Sequence, residues 1–187
     1  MSHSRLPFAR GSTMADQATT GITLDANSYM GVAGQTYEVQ DTVNGTGQTV
    51  LLRCLKNGSS DLTVARKFIE FSVTSAKDWG RVAAGYADTA GAVVVALDDA
   101  YTVGQVIKAY DLFWTVQRGP VKVATEASSV NLAAGAAVAT DASGLVNGAA
   151  AVAGEFVAGH IDAASTTTSE VVLIHMAGNL AMPDAAG

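Results

Sequence analysis

The residues best suited to chemistry in this 187-residue chain are few: three histidines, one cysteine and an adjacent pair of aspartates. His160 and His175 lie in EFVAGHI and EVVLIHM, two stretches expected to be strands, and could approach one another. A metal site would need a third ligand, and the chain has no HxH, HxxxH or Cys/His cluster to supply it. Both are therefore expected as hydrogen-bonded or exposed strand histidines. Asp98 and Asp99 have the residue types for calcium binding or acid–base work. Adjacent residues in an extended chain point to different sides, however, so the pair is expected to serve turn formation and solubility. Cys54 sits in the apolar run TVLLRCLK. There a thiol behaves as a small buried hydrophobe, whereas a nucleophilic thiol needs an electropositive, partly exposed setting. A single cysteine also excludes an intramolecular disulfide.

Other motifs read as turns. Asn44–Gln48 (NGTGQ) is glycine-rich but lacks the lysine of a phosphate-binding loop, and it precedes an expected strand rather than a helix. Asn44-Gly45-Thr46 and Asn57-Gly58-Ser59 fit the glycosylation sequon and are expected as surface turns. No serine occupies a GxSxG context. Trp79, Trp114, Tyr110 and Phe113 could line a groove, but large aromatics more commonly supply core or interface burial. No catalytic, cofactor-binding or metal-binding residue is assigned, and a non-enzymatic protein is expected.

Composition narrows the class further. Charged residues make up 15% of the chain, against about 25% in ordinary proteins. Much of the surface must then be Ala, Gly, Ser and Thr, which is cheap to desolvate and costs little side-chain entropy to order. Such a surface suits a protein that packs against others. The net charge is −6, with no basic tract carrying interleaved aromatics, so nucleic-acid binding is not expected. No stretch approaches the ~20 apolar residues of a membrane-spanning helix. Met1–Gly11 is polar without an apolar central run, so synthesis in a cytoplasm is expected.

The positioning elements read as short strands. Residues 1–27 lack periodicity and are expected to form a flexible N-terminal arm. Residues 28–118 form a β-rich half, with strands expected near Tyr37–Val43, at Thr49–Lys56, within Asp61–Thr74 and at Ala92–Leu97; ARKFIEF reads equally as a helical turn or two. Asp111–Val123 (DLFWTVQRGPVKV) marks the seam. A strand, a kink at Gly119-Pro120 and a second strand are expected, with Leu112, Trp114 and Val116 on one face and Phe113, Thr115 and Gln117 on the other. Residues 119–178 form an Ala/Gly/Val-rich, barrel-like half, and residues 179–187 a tail. Turn signals recurring every ~8–12 residues indicate a mainly β fold with little helix: a small barrel or a tulip-like sandwich of short strands.

The segments VQRGPVKVAT, LAAGAAVATDASGLV, EFVAGHIDAAS and EVVLIHM together give a pattern that resembles the small cement, or head-decoration, proteins of tailed bacteriophages. The resemblance covers about Val121 to Met176, with weaker support from Val103 to Gln117. Where the family usually carries Gly-Asp, this chain has Gly135-Ala136. The resemblance implies a β-barrel or β-tulip fold and homotrimers seated on an icosahedral head. It also implies the major capsid protein as partner, capsid stabilisation without catalysis, and a place on the virion surface after synthesis in the host cytoplasm. The arm would then add strand-like contacts to neighbouring subunits. Two alternatives stand beside it. One is another phage structural role, as a tail tube or head fibre. The other is a carbohydrate-binding or adhesin β-sandwich, with Trp79 and Trp114 as stacking platforms.

Overall fold

The computed structural model describes residues 33–71, 83–86, 94–126, 132–148, 157–166 and 170–177. The expected arm, the expected tail and Trp79 lie outside them. Among the described residues there are twelve strands and no helix. They are β1 (Thr36–Gln40), β2 (Thr49–Lys56), β3 (Leu62–Thr63), β4 (Phe68–Phe71), β5 (Ala83–Tyr86), β6 (Val94–Leu97), β7 (Val106–Ile107), β8 (Leu112–Ala124), β9 (Ala137–Thr140), β10 (Val146–Gly148), β11 (Gly159–Ile161) and β12 (Val171–Ala177). The protein is mainly β and barrel-like. Ten strands form one antiparallel sheet ordered β10-β9-β11-β12-β8-β6-β4-β5, to which β2 attaches through β8 and β1 through β2. β3 and β7 pair separately.

ARKFIEF resolves as β4, preceded by a bend at Arg66. Phe68 and Ile69 pair against β6, the VVAL run buried at every position, and β5 pairs along the other edge. A strand partner on each edge decides what local periodicity leaves open. The turns follow the expected chemistry. Asp41 closes the β1–β2 hairpin by accepting the Asn44 N–H on Oδ1 and the Thr46 hydroxyl on Oδ2. Asp141 closes β9–β10 through the Ser143 and Leu145 N–H groups.

The seam is one strand rather than two. β8 runs unbroken for 13 residues. Leu112–Arg118 pairs with β2, Thr115–Val116 with β6, and Arg118–Ala124 with β12. The expected kink survives as a bulge: Leu52 faces Val116 while Leu51 faces Arg118, leaving Gln117 as the extra residue. Gly119 follows at φ +105°, and a Cβ there would lie 2.7 Å from the Thr49 carbonyl oxygen. Pro120 is accommodated by ladder parity. The Thr125 N–H donates to the Glu170 carbonyl, so odd-numbered N–H groups face β12. Even-numbered ones, Lys122 and Ala124, donate to the Asp99 carboxylate and the Arg66 carbonyl. The N–H that Pro120 lacks belongs to the second set and takes nothing from the β8–β12 ladder.

The expected alternation along β8 does not separate a dry face from a wet one. Phe113 through Gln117 are all buried. The polar members survive because Arg53 serves them: the Thr115 hydroxyl donates to its carbonyl, and Gln117 Oε1 accepts from its Nε.

The C-terminal strands curl back on themselves. A parallel bridge joins Thr125 to Val146, and the Glu126 N–H donates to the Val146 carbonyl, so the end of β8 meets β10. The path β8-β12-β11-β9-β10 thereby returns to β8 around Val121, Val123, Val138, Val146, Ile161 and Ile174. Close strand approach within it depends on Gly159, where a Cβ would overlap the His175 carbonyl. These residues and Val50, Leu52, Phe68, Ile69 and Trp114 belong to one continuous core.

Candidate functional site

The residues singled out for chemistry divide into buried junctions and an exposed surface. Asp99 is the centre of the first group. Its side chain is 1% exposed and pairs with the Arg66 guanidinium at 3.0 Å. Its Oδ2 also accepts from Asn44 Nδ2 at 2.8 Å and from the Lys122 N–H at 3.0 Å. One carboxylate therefore ties together the β1–β2 loop, the approach to β4, the loop after β6 and the second part of β8. Asp98 points elsewhere and caps the turn at the Ala100 N–H. The two aspartates do not form one site, as expected. Asp99, however, is a buried structural ion pair rather than a solubilising turn residue, because the Arg66 charge and two further donors offset its desolvation.

Asn57 also departs from the surface-turn expectation. It is 3% exposed, and its Nδ2 donates to the Ser60, Ile107 and Lys108 carbonyls. Asn44 likewise spends its amide on Asp99. Neither amide is free to accept a glycan in the folded protein. The NGTGQ loop is occupied by its own bonds to Asp41.

Cys54 is buried, and burial pushes its thiol up to about 12. It is not a nucleophile in the folded protein. His160 and His175 stand directly opposite each other across β11 and β12. His160 is exposed, while His175 Nε2 bonds Asp162 Oδ1 at 2.9 Å. Among the described residues, no group of three or more His, Cys, Asp or Glu could hold a metal ion.

The aromatics separate cleanly. Phe113 is fully buried and Trp114 is 1% exposed, with Tyr37 set edge-on to its ring at 5.9 Å between centroids. Trp114 is a core residue and cannot be a stacking platform. Tyr110 is the opposite case: it is 61% exposed and has φ +68°. It sits in the turn Lys108–Asp111, closed by the Asp111 N–H to the Lys108 carbonyl at 3.1 Å. The third position of this turn takes positive φ and favours glycine. Around it, the Tyr110 N–H donates to the Gly58 carbonyl, the Ala109 N–H to Asp61 Oδ1, and Lys108 Nζ pairs with Asp61 Oδ2 at 2.8 Å. Lys56 Nζ lies 5.4 Å from the Tyr110 ring centroid. Sequence reasoning named Tyr110 only as a groove candidate. The signal available was its place between Lys108-Ala109 and Asp111, a turn-like position without glycine.

No protein-family model matches the chain, and no curated protein matches it. Among solved structures, it is similar to the crystal structure of head fiber gp8.5 N base in bacteriophage phi29. The TM-score is 0.42 at 11% sequence identity, over 70% of this chain and 96% of that chain.

Proposed function

We propose that this chain is a non-catalytic structural protein of a phage virion, which binds the outside of an icosahedral head and stabilises the lattice of its major capsid protein. The observation that carries the reading is a coincidence of boundaries. The stretch whose sequence resembles cement proteins, Val121 to Met176, is also the stretch that curls back through the Thr125–Val146 bridge. The remainder supports it. Asp99, Asn57, Cys54 and Asn44, which could have done chemistry, are occupied by structural bonds or buried. A chain with 15% charged residues has a surface suited to close packing against neighbours. On this reading the protein acts as a homotrimer, its N-terminal arm reaches neighbouring subunits, and many weak contacts act together through multivalency.

The test is addition of purified protein to expanded heads that lack it. Binding at many copies per head, with a higher melting temperature of the heads, is the expected result. Failure to bind, or heads whose stability is unchanged by deletion of the gene, overturns the proposal. Copy number from gel densitometry separates a cement protein from a head fibre or tail tube, which would be present in far fewer copies or on another part of the particle.

A further inference from the structure

The chain contains three Asn-Gly pairs, Asn44-Gly45, Asn57-Gly58 and Asn147-Gly148. Such a dipeptide can modify itself without an enzyme. The glycine nitrogen, with no side chain to hinder it, gives its proton to water and attacks the asparagine Cγ. The N–Cγ bond forms, the Cγ–Nδ2 bond breaks, and Nδ2 leaves as ammonia with a proton from water. Water then opens the cyclic imide at either carbonyl, giving aspartate or isoaspartate. One water is consumed, one ammonia is released, and nothing is oxidised or reduced. The reaction needs a glycine nitrogen free of other bonds and a backbone that can bring it to Cγ.

The fold treats the three pairs differently. Asn57 is buried, its Nδ2 donates to three carbonyls, and the Gly58 N–H is spent on Asn57 Oδ1 at 2.9 Å. Asn147 and Gly148 are held in β10 opposite Ala139 and Val138, and Leu132 packs where a Gly148 Cβ would stand. Asn44-Gly45 lies in the loop between β1 and β2. Gly45 is exposed, a Cβ there would meet nothing within 4 Å, and its N–H has no partner among the described residues. Asn44 Nδ2 is tied to Asp99 Oδ2 at 2.8 Å, while its Oδ1 is buried without a partner. That tie denies Nδ2 to a glycan, which needs it as the nucleophile. In deamidation Nδ2 is the group that departs.

We infer that Asn44 is a self-deamidation site of the folded protein and that its conversion unlocks the Asp99 junction. The product sets a carboxylate where Asp99 held an amide donor. Two carboxylates then face one guanidinium, that of Arg66, and Asp99 keeps the Lys122 N–H but loses its Asn44 bond. Like charges this close cannot both stay ionised without cost. The isoaspartate product also routes the main chain through Cβ. That lengthens the loop between the Asn44 N–H, which Asp41 Oδ1 accepts, and the Thr46 hydroxyl, which Asp41 Oδ2 accepts. Either product releases the β1–β2 loop from the loop after β6 and from β8. The change is irreversible, so it records the age of each molecule.

The experiment incubates the folded chain and a urea-unfolded sample in mildly alkaline buffer and follows each Asn-Gly pair by peptide mass spectrometry with an isoaspartate assay. Gly45→Ala is aged in the same way, and Asn44→Asp is melted beside wild type. In the folded chain Asn44 is expected to convert while Asn57 and Asn147 keep their amides; in urea all three convert. Gly45→Ala, whose methyl group hinders the attacking nitrogen, is expected to slow conversion of Asn44 several-fold. Asn44→Asp is expected to melt below wild type at neutral pH, with the difference shrinking in acid as the new carboxylate takes up a proton. Conversion of Asn57 or Asn147 ahead of Asn44 in the folded chain, or of Asn44 in urea alone, overturns the site. An unchanged rate in Gly45→Ala overturns attack by the Gly45 nitrogen. Asn44→Asp melting with wild type overturns the unlocking, because Arg66 would then balance both carboxylates.

Discussion

The Asp99 carboxylate is where single side chains matter most to this fold. Four segments converge on it, and its partner Arg66 is itself only 19% exposed. Asp99→Ala would strand a largely buried guanidinium and two donors, a loss of about 3–5 kcal/mol by the precedent of broken buried pairs. Urea denaturation checks it; a loss under about 1 kcal/mol would show that water replaces the carboxylate. Two aspartates beside Lys108, Asp61 and Asp111, respond to pH in opposite directions. The Lys108 side chain, followed by the Ala109 N–H, holds Asp61 below the usual carboxylate range. Its folded value lies beneath the unfolded one, so its contribution is present above the unfolded value and is lost as pH falls through the folded value. Burial, reinforced by the Asp61 charge, raises Asp111, whose Oδ2 is buried without a partner. Its ionised form therefore costs stability above the raised value, and the cost disappears as pH falls through it. At pH 7, Asp61→Asn should lower the melting temperature and Asp111→Asn should raise it, with both differences vanishing in acid. Shifts of the same sign at pH 7 would contradict this electrostatic account.

At the scale of elements, β8 decides the architecture, and the two constraints on its Gly119, backbone angle and close approach, are separated by comparison with Gly45 of the β1–β2 loop. Gly119→Ala meets both a φ of +105° and a carbonyl oxygen 2.7 Å away, whereas Gly45→Ala meets φ +71° with nothing within 4 Å. The first should cost at least ~2 kcal/mol and the second about 1 kcal/mol, the strain alone. Equal losses in urea denaturation would show that the bulge relaxes around a methyl group. This part of the fold was largely legible in the sequence. The TVLLRCLK strand and the Asn44-Gly45 and Asp141–Gly144 turns follow from local rules that the tertiary structure obeys, whereas the break expected at Gly119-Pro120 lies inside one continuous strand. What was not legible depends on distant partners. The break became a bulge because β12 pairs across it, and Thr115 and Gln117 are buried because Arg53 serves both. Asp99 and Asn57 look like turn residues in the sequence because their partners, Arg66, Lys122, Ile107 and Lys108, lie 23 to 51 positions away. The strain at Tyr110 is invisible without a backbone angle.

For the whole molecule, the question is whether the compositional seam divides it energetically. β8 contributes to both sides: its first part carries Phe113 and Trp114 against β2, and its second part carries Val121 and Val123 against β12. The core runs without interruption from Val50 to Met176. Further bonds cross the seam, with the Phe68 N–H donating to the Gly144 carbonyl and the Ala124 N–H to the Arg66 carbonyl. Unfolding one side alone would strip β8 of its neighbours along half its length and expose buried side chains of the other, a cost no independent unit would recover. Thermal unfolding should therefore be a single transition, with coincident far-UV circular dichroism and calorimetric curves and equal calorimetric and van't Hoff enthalpies. Trp114→Ala should lower that one transition by about 3–5 kcal/mol, the range for large buried aromatics, without splitting it. The Cys54 thiol should become reactive only as the transition proceeds, since its burial ends with the core. Two resolved transitions, or thiol labelling that precedes loss of the circular dichroism signal, would mean that the strand shared by the two sides does not bind them into one cooperative unit.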